Sequence, residues 1–253
     1  MPDTPIFPPR PRGGDAVRGQ NGGRGARKPA DSPFCELGAM SNFSFLRGAS
    51  HPEELVVTAH RLGLAGLAIC DRNSVAGVVR GHMAAKEAGL RYQPGCRLVF
   101  RDGTPDCLVW PRNLDGWNRL CRLLTLGNRR AEKGECHLDV ADLVEMGGGM
   151  ALALHPESVL EEGPREATST SLPKLAAAFP GAVRLAVSPG FGPFSQREIT
   201  ARAALAKSCA VPLLATNDVL YHRPERRKMA DAVACIREHA TLCEAGYLLQ
   251  AHA

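Results

Sequence analysis

Residues 50–71 have the sequence SHPEELVVTAHRLGLAGLAICD, a helix pattern followed by a strand pattern. Ser50 and Glu53 fit a capping box, and apolar residues then recur at helical spacing until Gly63, which predicts an amphipathic helix. Residues 64–70 form a short apolar run of the kind that makes a buried strand. This helix and strand together predict one unit of an α/β sheet.

The same alternation continues along the chain. Six further apolar runs predict strands at 35–39, 94–100, 107–110, 150–154, 183–187 and 212–215. Further helical patterns lie at 74–88, 114–127, 138–146, 171–179, 195–209 and 225–239, and a second capping box is expected from Ser195 and Glu198. Seven strands mostly separated by helices imply parallel pairing, for which a distorted (β/α)7 barrel is the economical fold. A doubly wound open sheet stays possible, but no G-x-G-x-x-G follows a strand to indicate a dinucleotide site.

Composition excludes several classes of protein. The chain has 253 residues, 44% of them hydrophobic, which is enough for a packed core and excludes a disordered or fibrous protein. The formal net charge is +5, and residues 34–253 carry only +2 of it, so charge alone does not indicate nucleic-acid binding. Nine cysteines without a C-x-x-C pair indicate reduced thiols. Because no apolar run approaches the ~20 residues of a membrane helix, we expect a cytoplasmic protein with no membrane partner.

Three regions are expected along the chain. Residues 1–33 are rich in Pro, Gly and Arg with little to bury, which predicts a flexible, disordered tail and leaves open whether Met1 is the true start. Residues 34–223 are predicted to form the barrel. Residues 224–253 are predicted to begin a linker or a helical region that leads to a further domain.

Candidate functional residues follow the predicted strands, because active sites of such barrels lie at the carboxyl ends of the strands. The positions concerned are 38–44, 71–73, 97, 155, 188 and 217–221. Asp71 and Asp218 each directly follow a buried strand, so each is either functional or a structural helix cap. The eight histidines include no H-x-H or H-x-x-x-H pair, and no G-x-S-x-G elbow is present, so the residues alone indicate neither a metal site nor a nucleophile.

Four ordered segments resemble the polymerase-and-histidinol-phosphatase (PHP) domain of bacterial C-family DNA polymerases. They lie at 35–55, 64–73, 129–138 and 215–227. The segment RRAEKGECHL at 129–138 is similar to the error-prone, damage-inducible branch of the polymerase alpha-subunit family in particular. The resemblance implies a distorted seven-stranded α/β barrel, which agrees with the strand count. It also implies that active members bind a cluster of divalent metals and hydrolyse phosphoesters.

The positions that match the family's metal ligands have mostly changed. An intact site has His-x-His on the first strand, then an acid, an Asp-His pair, a Glu and a final Asp-x-His. This chain has Gly38, Met40, Arg47, Asp71, Arg72, Arg97, Asp218 and Leu220 at those positions. Zinc needs about four N, O or S donors. We therefore predict a metal-free, hydrolytically inactive barrel with no catalytic residue and no cofactor.

Three of the substitutions introduce arginine, which suggests a structural hypothesis. If Arg47, Arg72 and Arg97 converge, they replace the positive charge of the metals and pair with Asp71 and Asp218. Alternatively, the same cluster binds a phosphate or an acidic partner. Guanidinium groups bonded to the carboxylates would favour the first hypothesis, and guanidinium groups facing solvent would favour the second.

The resemblance implies a fragment of an error-prone DNA polymerase alpha subunit that acts in replication and damage-induced translesion synthesis. The implied partners are the polymerase body and other mutagenesis or replication subunits, with DNA reached only through the full-length protein. Magnesium is implied only for the absent polymerase domain, and a scaffold role through a basic helix face at 226–228 is expected. The alternatives are a metal-dependent phosphoesterase with a remodelled site and a stand-alone module that regulates a polymerase.

Overall fold

The computed structural model describes residues 33–189, 194–246 and 249. The strands are β1 (Cys35–Ala39), β2 (Gly66–Arg72), β3 (Tyr92–Leu98), β4 (Asp106–Pro111), β5 (Met150–His155), β6 (Val183–Val187) and β7 (Leu213–Ala215). The helices are α1 (Pro52–Arg61), α2 (Val78–Ala88), α3 (Leu114–Arg130), α4 (Val140–Met146), α5 (Glu162–Ala178), α6 (Ser195–Ser208) and α7 (Arg227–Arg237). Except for Pro33, the tail predicted for 1–33 lies outside the described residues.

The seven strands form one sheet in the order β1 to β7. β1, β2 and β3 are parallel, and so are β5, β6 and β7, but β4 runs antiparallel to both neighbours. The prediction of parallel pairing is wrong at β4. Only residues 99–105 connect β3 to β4, which is too short for a crossover helix and long enough for a hairpin.

The sheet curls into a nearly closed barrel. The buried carboxylate of Glu36 on β1 accepts hydrogen bonds from the Thr216 hydroxyl and from the backbone N–H of Asn217, just after β7. The N–H of Met40 donates to the carbonyl of Val219 at 2.8 Å. Burial raises the pKa of Glu36, and its hydrogen bonds oppose that rise. The two ends of the sheet are therefore joined through a carboxylate and backbone contacts.

The core lies on both faces of the sheet. Leu98, Leu152 and Leu185 belong to a cluster that includes Leu120 and Leu175 from the covering helices. A smaller cluster made up of strand residues contains several alanines and Trp110, whose Nε1–H donates to the carbonyl of Leu37 at 3.1 Å. The alternation of strand side chains between the two faces produces this division.

Both predicted capping boxes are wrong. At α1 the carboxylate of Glu54, and not that of Glu53, accepts from the backbone N–H of the residue before the helix. Ser50 contacts His222 Nδ1 at 2.8 Å instead of capping the helix. At α6, Glu198 accepts from the backbone N–H of Val159 at 2.7 Å. At α1 the local contact is therefore shifted by one residue, to His51 and Glu54, whereas at α6 a contact with a distant part of the chain takes the place of the predicted cap.

Three further features can be compared with the sequence patterns. The helix predicted at 171–179 begins earlier, at Glu162; the sequence pattern did not indicate its first half because residues 162–170 are polar and show no apolar period. All nine cysteines are free thiols. Within the described ranges, no helix is both long and apolar enough to cross a membrane.

Candidate functional site

The eight positions singled out from sequence gather at one end of the barrel. Gly38 lies on β1, and Met40 and Arg47 lie on β1's continuation and the following loop. Asp71 and Arg72 end β2, and Arg97 lies near the end of β3. The segment with Asp218 and Leu220 follows β7, and the carbonyl of Leu220 accepts from the N–H of Ala49 at 2.8 Å. The carboxyl ends of these parallel strands thus meet at a common edge.

Arg97 is the centre of this site. Its side chain is buried, with the whole residue 5% exposed, and its Nη2 donates to Oδ1 of Asp218. Its Nη1 lies 3.9 Å from Oδ2 of Asp106, the first residue of β4. Burial alone would lower the pKa of Arg97, but Asp218 and Asp106 outweigh burial and raise that pKa. The arginine is therefore a fixed cation between two carboxylates.

A second arginine shares one of these carboxylates. Nη1 of Arg72 lies 2.6 Å from Oδ2 of Asp106, so Asp106 bridges Arg72 and Arg97. Sequence reasoning missed Asp106. The antiparallel register places Arg97 opposite Leu108 and thereby brings the start of β4 beside the end of β3. A reader of the sequence could have found Asp106 by recognising residues 92–111 as a hairpin.

Among the described residues Asp71 pairs with no arginine, so that part of the ion-pair hypothesis is wrong. Its carboxylate, in a residue only 2% exposed, accepts from the backbone N–H and the hydroxyl of Ser41 at 2.8 Å and from the Ser44 hydroxyl at 2.7 Å. Successive side chains on a strand point to opposite faces, so Asp71 and its neighbour Arg72 face different partners. Burial raises the pKa of Asp71, and the serine hydrogen bonds oppose the rise.

Arg47 has a different environment from the other two arginines. It is half-buried, in the loop where Nη1 of Arg237 donates to the carbonyl of Leu46 at 3.0 Å. Burial, together with the nearby charges of Arg72 and Arg237, lowers the pKa of Arg47 to about 10. Arg47 therefore lies close to the pair of Arg72 and Asp106, but within the described residues it forms no ion pair of its own.

His155 and Glu36 complete the site. His155 ends β5, is 8% exposed, and places Nε2 3.7 Å from Oδ2 of Asp218. Burial lowers the pKa of His155 to about 4, so the ring is neutral near pH 7. The sequence pattern had marked position 155 for its place after a strand, whereas Glu36 inside β1 carried no signal because its role depends on residues after β7.

The donor set does not fit a divalent metal. A Cβ at Gly38 would lie 2.5 Å from Thr216 Oγ1, so the contact between Glu36 and Thr216 closes the position of the family's first ligand. Arginines engage the carboxylates of Asp106 and Asp218, and serines engage that of Asp71. Among the described residues no group of three or more His, Cys, Asp or Glu is placed to hold a metal.

Comparison with protein families matches residues 37–160 to the PHP domain. Error-prone DNA polymerase 1 of Rhizobium meliloti (strain 1021) is 49% identical over 225 residues, which cover 88% of this chain and 20% of that protein. The error-prone DNA polymerase of Caulobacter vibrioides is 44% identical over 220 residues, with 87% and 20% coverage. The chain thus spans about one fifth of the length of these relatives.

Two solved structures share the fold. One is a candidate metal-dependent phosphoesterase from Bifidobacterium adolescentis, with a TM-score of 0.53, 15% identity, and coverage of 76% of this chain and 88% of that chain. The other is an amidohydrolase from Chromobacterium violaceum with bound sulfate and no metal, with a TM-score of 0.54, 16% identity, and 74% and 87% coverage. At these identities the likeness concerns the fold alone.

Proposed function

We propose that the chain, whose residues 37–160 match the PHP domain, is the PHP portion of an error-prone DNA polymerase in which ion pairs take the structural place of metal ions. The proposal combines two kinds of support. The polymerase relatives are 42–49% identical across most of the chain. Three of the positions where the family has ligands carry arginine, and the two carboxylates that remain at such positions are engaged, Asp218 by Arg97 and Asp71 by serines.

The observation that carries the structural role is the ion-pair network of Arg72, Asp106, Arg97 and Asp218. It connects β2, β3, the start of β4 and the segment after β7. A metal cluster would connect the same edges through its ligands. The network performs that task with guanidinium groups that stay charged over the whole physiological pH range.

In the longer protein this barrel would support the polymerase body, and nucleotidyl transfer during replication and translesion synthesis would belong to that body. The expected setting is the cytoplasm, with other mutagenesis or replication subunits as partners. The basic helix face expected at 226–228 is smaller than predicted, because Nη2 of Arg226 lies 2.7 Å from Oε1 of Glu54. Arg226 thus fixes the start of the C-terminal helical region to α1.

A phosphoesterase assay tests the non-catalytic role. The purified chain should hydrolyse neither a phosphomonoester nor a phosphodiester substrate, with or without added Mn²⁺ or Zn²⁺, because the donors for those ions are already engaged. Metal-dependent hydrolysis that disappears in Asp71→Ala would overturn the proposal and establish the alternative of a remodelled phosphoesterase. A Lys174→Ala variant, which changes an exposed residue on α5 outside the site, serves as the control for contaminating activity.

A further inference from the structure

The segment 112–133, which contains α3, concentrates the positive charge of the domain. It holds five Arg and one Lys against one Asp and one Glu, a net charge of +4. Residues 34–253 as a whole carry +2, so the rest of this region is net negative. The mild overall charge therefore hides a strongly polarised surface, and it is local charge that attracts a polyanion.

The outward side of α3 carries more bases than acids, and the single acid of the helix, Asp115, is paired with Arg119 at 2.8 Å. Between residues 116 and 131 there is no Asp or Glu, while Arg122 and Arg129 stand seven residues apart, two turns on one side of the helix. Both are exposed, and the residues that α3 buries lie on the other side: Gly116, Leu120, Leu123, Leu124 and Gly127. Asp115 neutralises Arg119 one turn away, but no acid of α3 lies one turn from Arg122 or Arg129.

Several of these bases have no carboxylate partner. Within the described ranges, Arg112, Arg122, Arg129 and Lys133 form no ion pair, whereas Arg130 is held by Asp142 at 2.7 Å. Favourable interaction with the helix dipole accounts for cations in the last turn of α3 but not for Arg112 before the helix or Arg122 in its middle. These free cations can contact phosphates without breaking an existing interaction.

We propose that this surface, the α3 basic face (Arg112, Arg122, Arg129 and Lys133), binds the phosphate backbone of duplex DNA. Residues 112 and 133 flank a 17-residue helix that is about 25 Å long. This length corresponds to several phosphates along one DNA strand. Asn118 and Asn128, also on α3, are neutral hydrogen-bond donors that suit phosphate oxygens. The face contacts backbone rather than bases, so binding is independent of sequence.

Duplex DNA fits this face better than a single strand does. Proteins that bind single strands stack bases on exposed aromatic side chains. Segment 112–133 has one aromatic residue, Trp117, and it is half-buried. The proposal goes beyond the proposed function and does not depend on it, because binding is measured with this chain alone.

The test is fluorescence anisotropy of a short labelled DNA duplex titrated with the 253-residue chain at several salt concentrations. The triple variant Arg122→Ala, Arg129→Ala, Lys133→Ala removes three cations from the face. The matched control Arg61→Ala, Arg165→Ala, Lys174→Ala removes the same charge from exposed positions on α1 and α5. Circular dichroism confirms that both variants are folded.

The affinity of the face variant for the duplex should be at least about tenfold lower at low salt. Each phosphate contact contributes about 0.9 to the slope of log K against log salt, so the loss of three contacts should reduce the magnitude of that slope by about 2.7. The control should change affinity by less than about threefold. Equal weakening in both variants, absence of duplex binding by the unmodified chain, or a preference for single strands over duplex would each overturn the proposal.

Discussion

Replacing Arg97 with alanine removes the guanidinium that lies between two carboxylates at the centre of the site. The Arg97 side chain is 6% exposed, and those of Asp218 and Asp106 are 18% and 21% exposed, so water replaces the lost cation only in part. Breaking a buried ion pair by removing one partner destabilises a protein by about 3–5 kcal/mol. Because both carboxylates retain some solvent contact and Asp106 keeps Arg72, we expect Arg97→Ala to lower the free energy of unfolding by about 2–4 kcal/mol.

Urea unfolding of the 253-residue chain, followed by circular dichroism, measures this change as a lower transition midpoint at constant slope. The control is Arg101→Ala, which breaks the exposed pair with Asp139 and should change the free energy of unfolding by less than about 1 kcal/mol. The double variant Arg97→Met, Asp218→Asn removes both charges of one pair, keeps a residue type that tolerates the positive φ of 51° at position 218, and should recover part of the loss. An Arg97→Ala variant as stable as the Arg101→Ala control would refute the structural role of the network.

Three further predictions concern the same end of the barrel. The pKa of His155 is about 4 in the folded chain, below its ordinary value of 6.5. Between pH 6.5 and 4 the unfolded chain therefore binds a proton at this residue that the folded chain does not, and the free energy of unfolding decreases as the pH falls through this range. Unfolding experiments across that range should show a weaker pH dependence in His155→Gln, and identical profiles would show that the ring is not buried as described. Ser41→Ala and Ser44→Ala remove hydrogen bonds to the buried carboxylate of Asp71 and should each destabilise the chain by about 1.5–3 kcal/mol in urea unfolding. Neutral effects would mean that Asp71 has other partners. A Cβ at Gly95 would clash with Sγ of Cys70 inside the barrel. Overpacking of this kind costs about 1–3 kcal/mol, so Gly95→Ala should lower the thermal unfolding midpoint, and an unchanged midpoint would indicate a looser interior.

The strands were the most predictable part of the fold. The run at 183–187 coincides with β6 and that at 35–39 with β1, because strands buried in a barrel are short apolar runs between breakers. The antiparallel direction of β4 was not predicted, although the connection 99–105 is too short for a crossover helix and therefore indicates a hairpin. The predictions of the helix caps were wrong for another reason. Ser50 contacts His222, which lies far along the chain, and the local spacing of residues cannot predict that contact.

The candidate site was predictable in its positions and not in its partners. Resemblance placed Arg72, Arg97 and Asp218 at one end of the barrel. The hypothesis paired the arginines with Asp71 and Asp218, and the structure has such a pair at Asp218, formed by Arg97. The role of Asp106 depends on the hairpin register, and the role of Glu36 on closure of the sheet, so neither follows from neighbours in sequence. The same reason explains why Asp71, expected to meet an arginine, is held by serines.

Guanidinium groups, we propose, have replaced metal ions in holding this barrel together. Elemental analysis of the purified chain by inductively coupled plasma mass spectrometry, paired with thermal unfolding before and after exhaustive chelation, tests this proposal most directly. We expect substoichiometric zinc, manganese and iron and an unchanged unfolding midpoint after chelation. A stoichiometric metal whose removal lowers the midpoint would contradict the proposal.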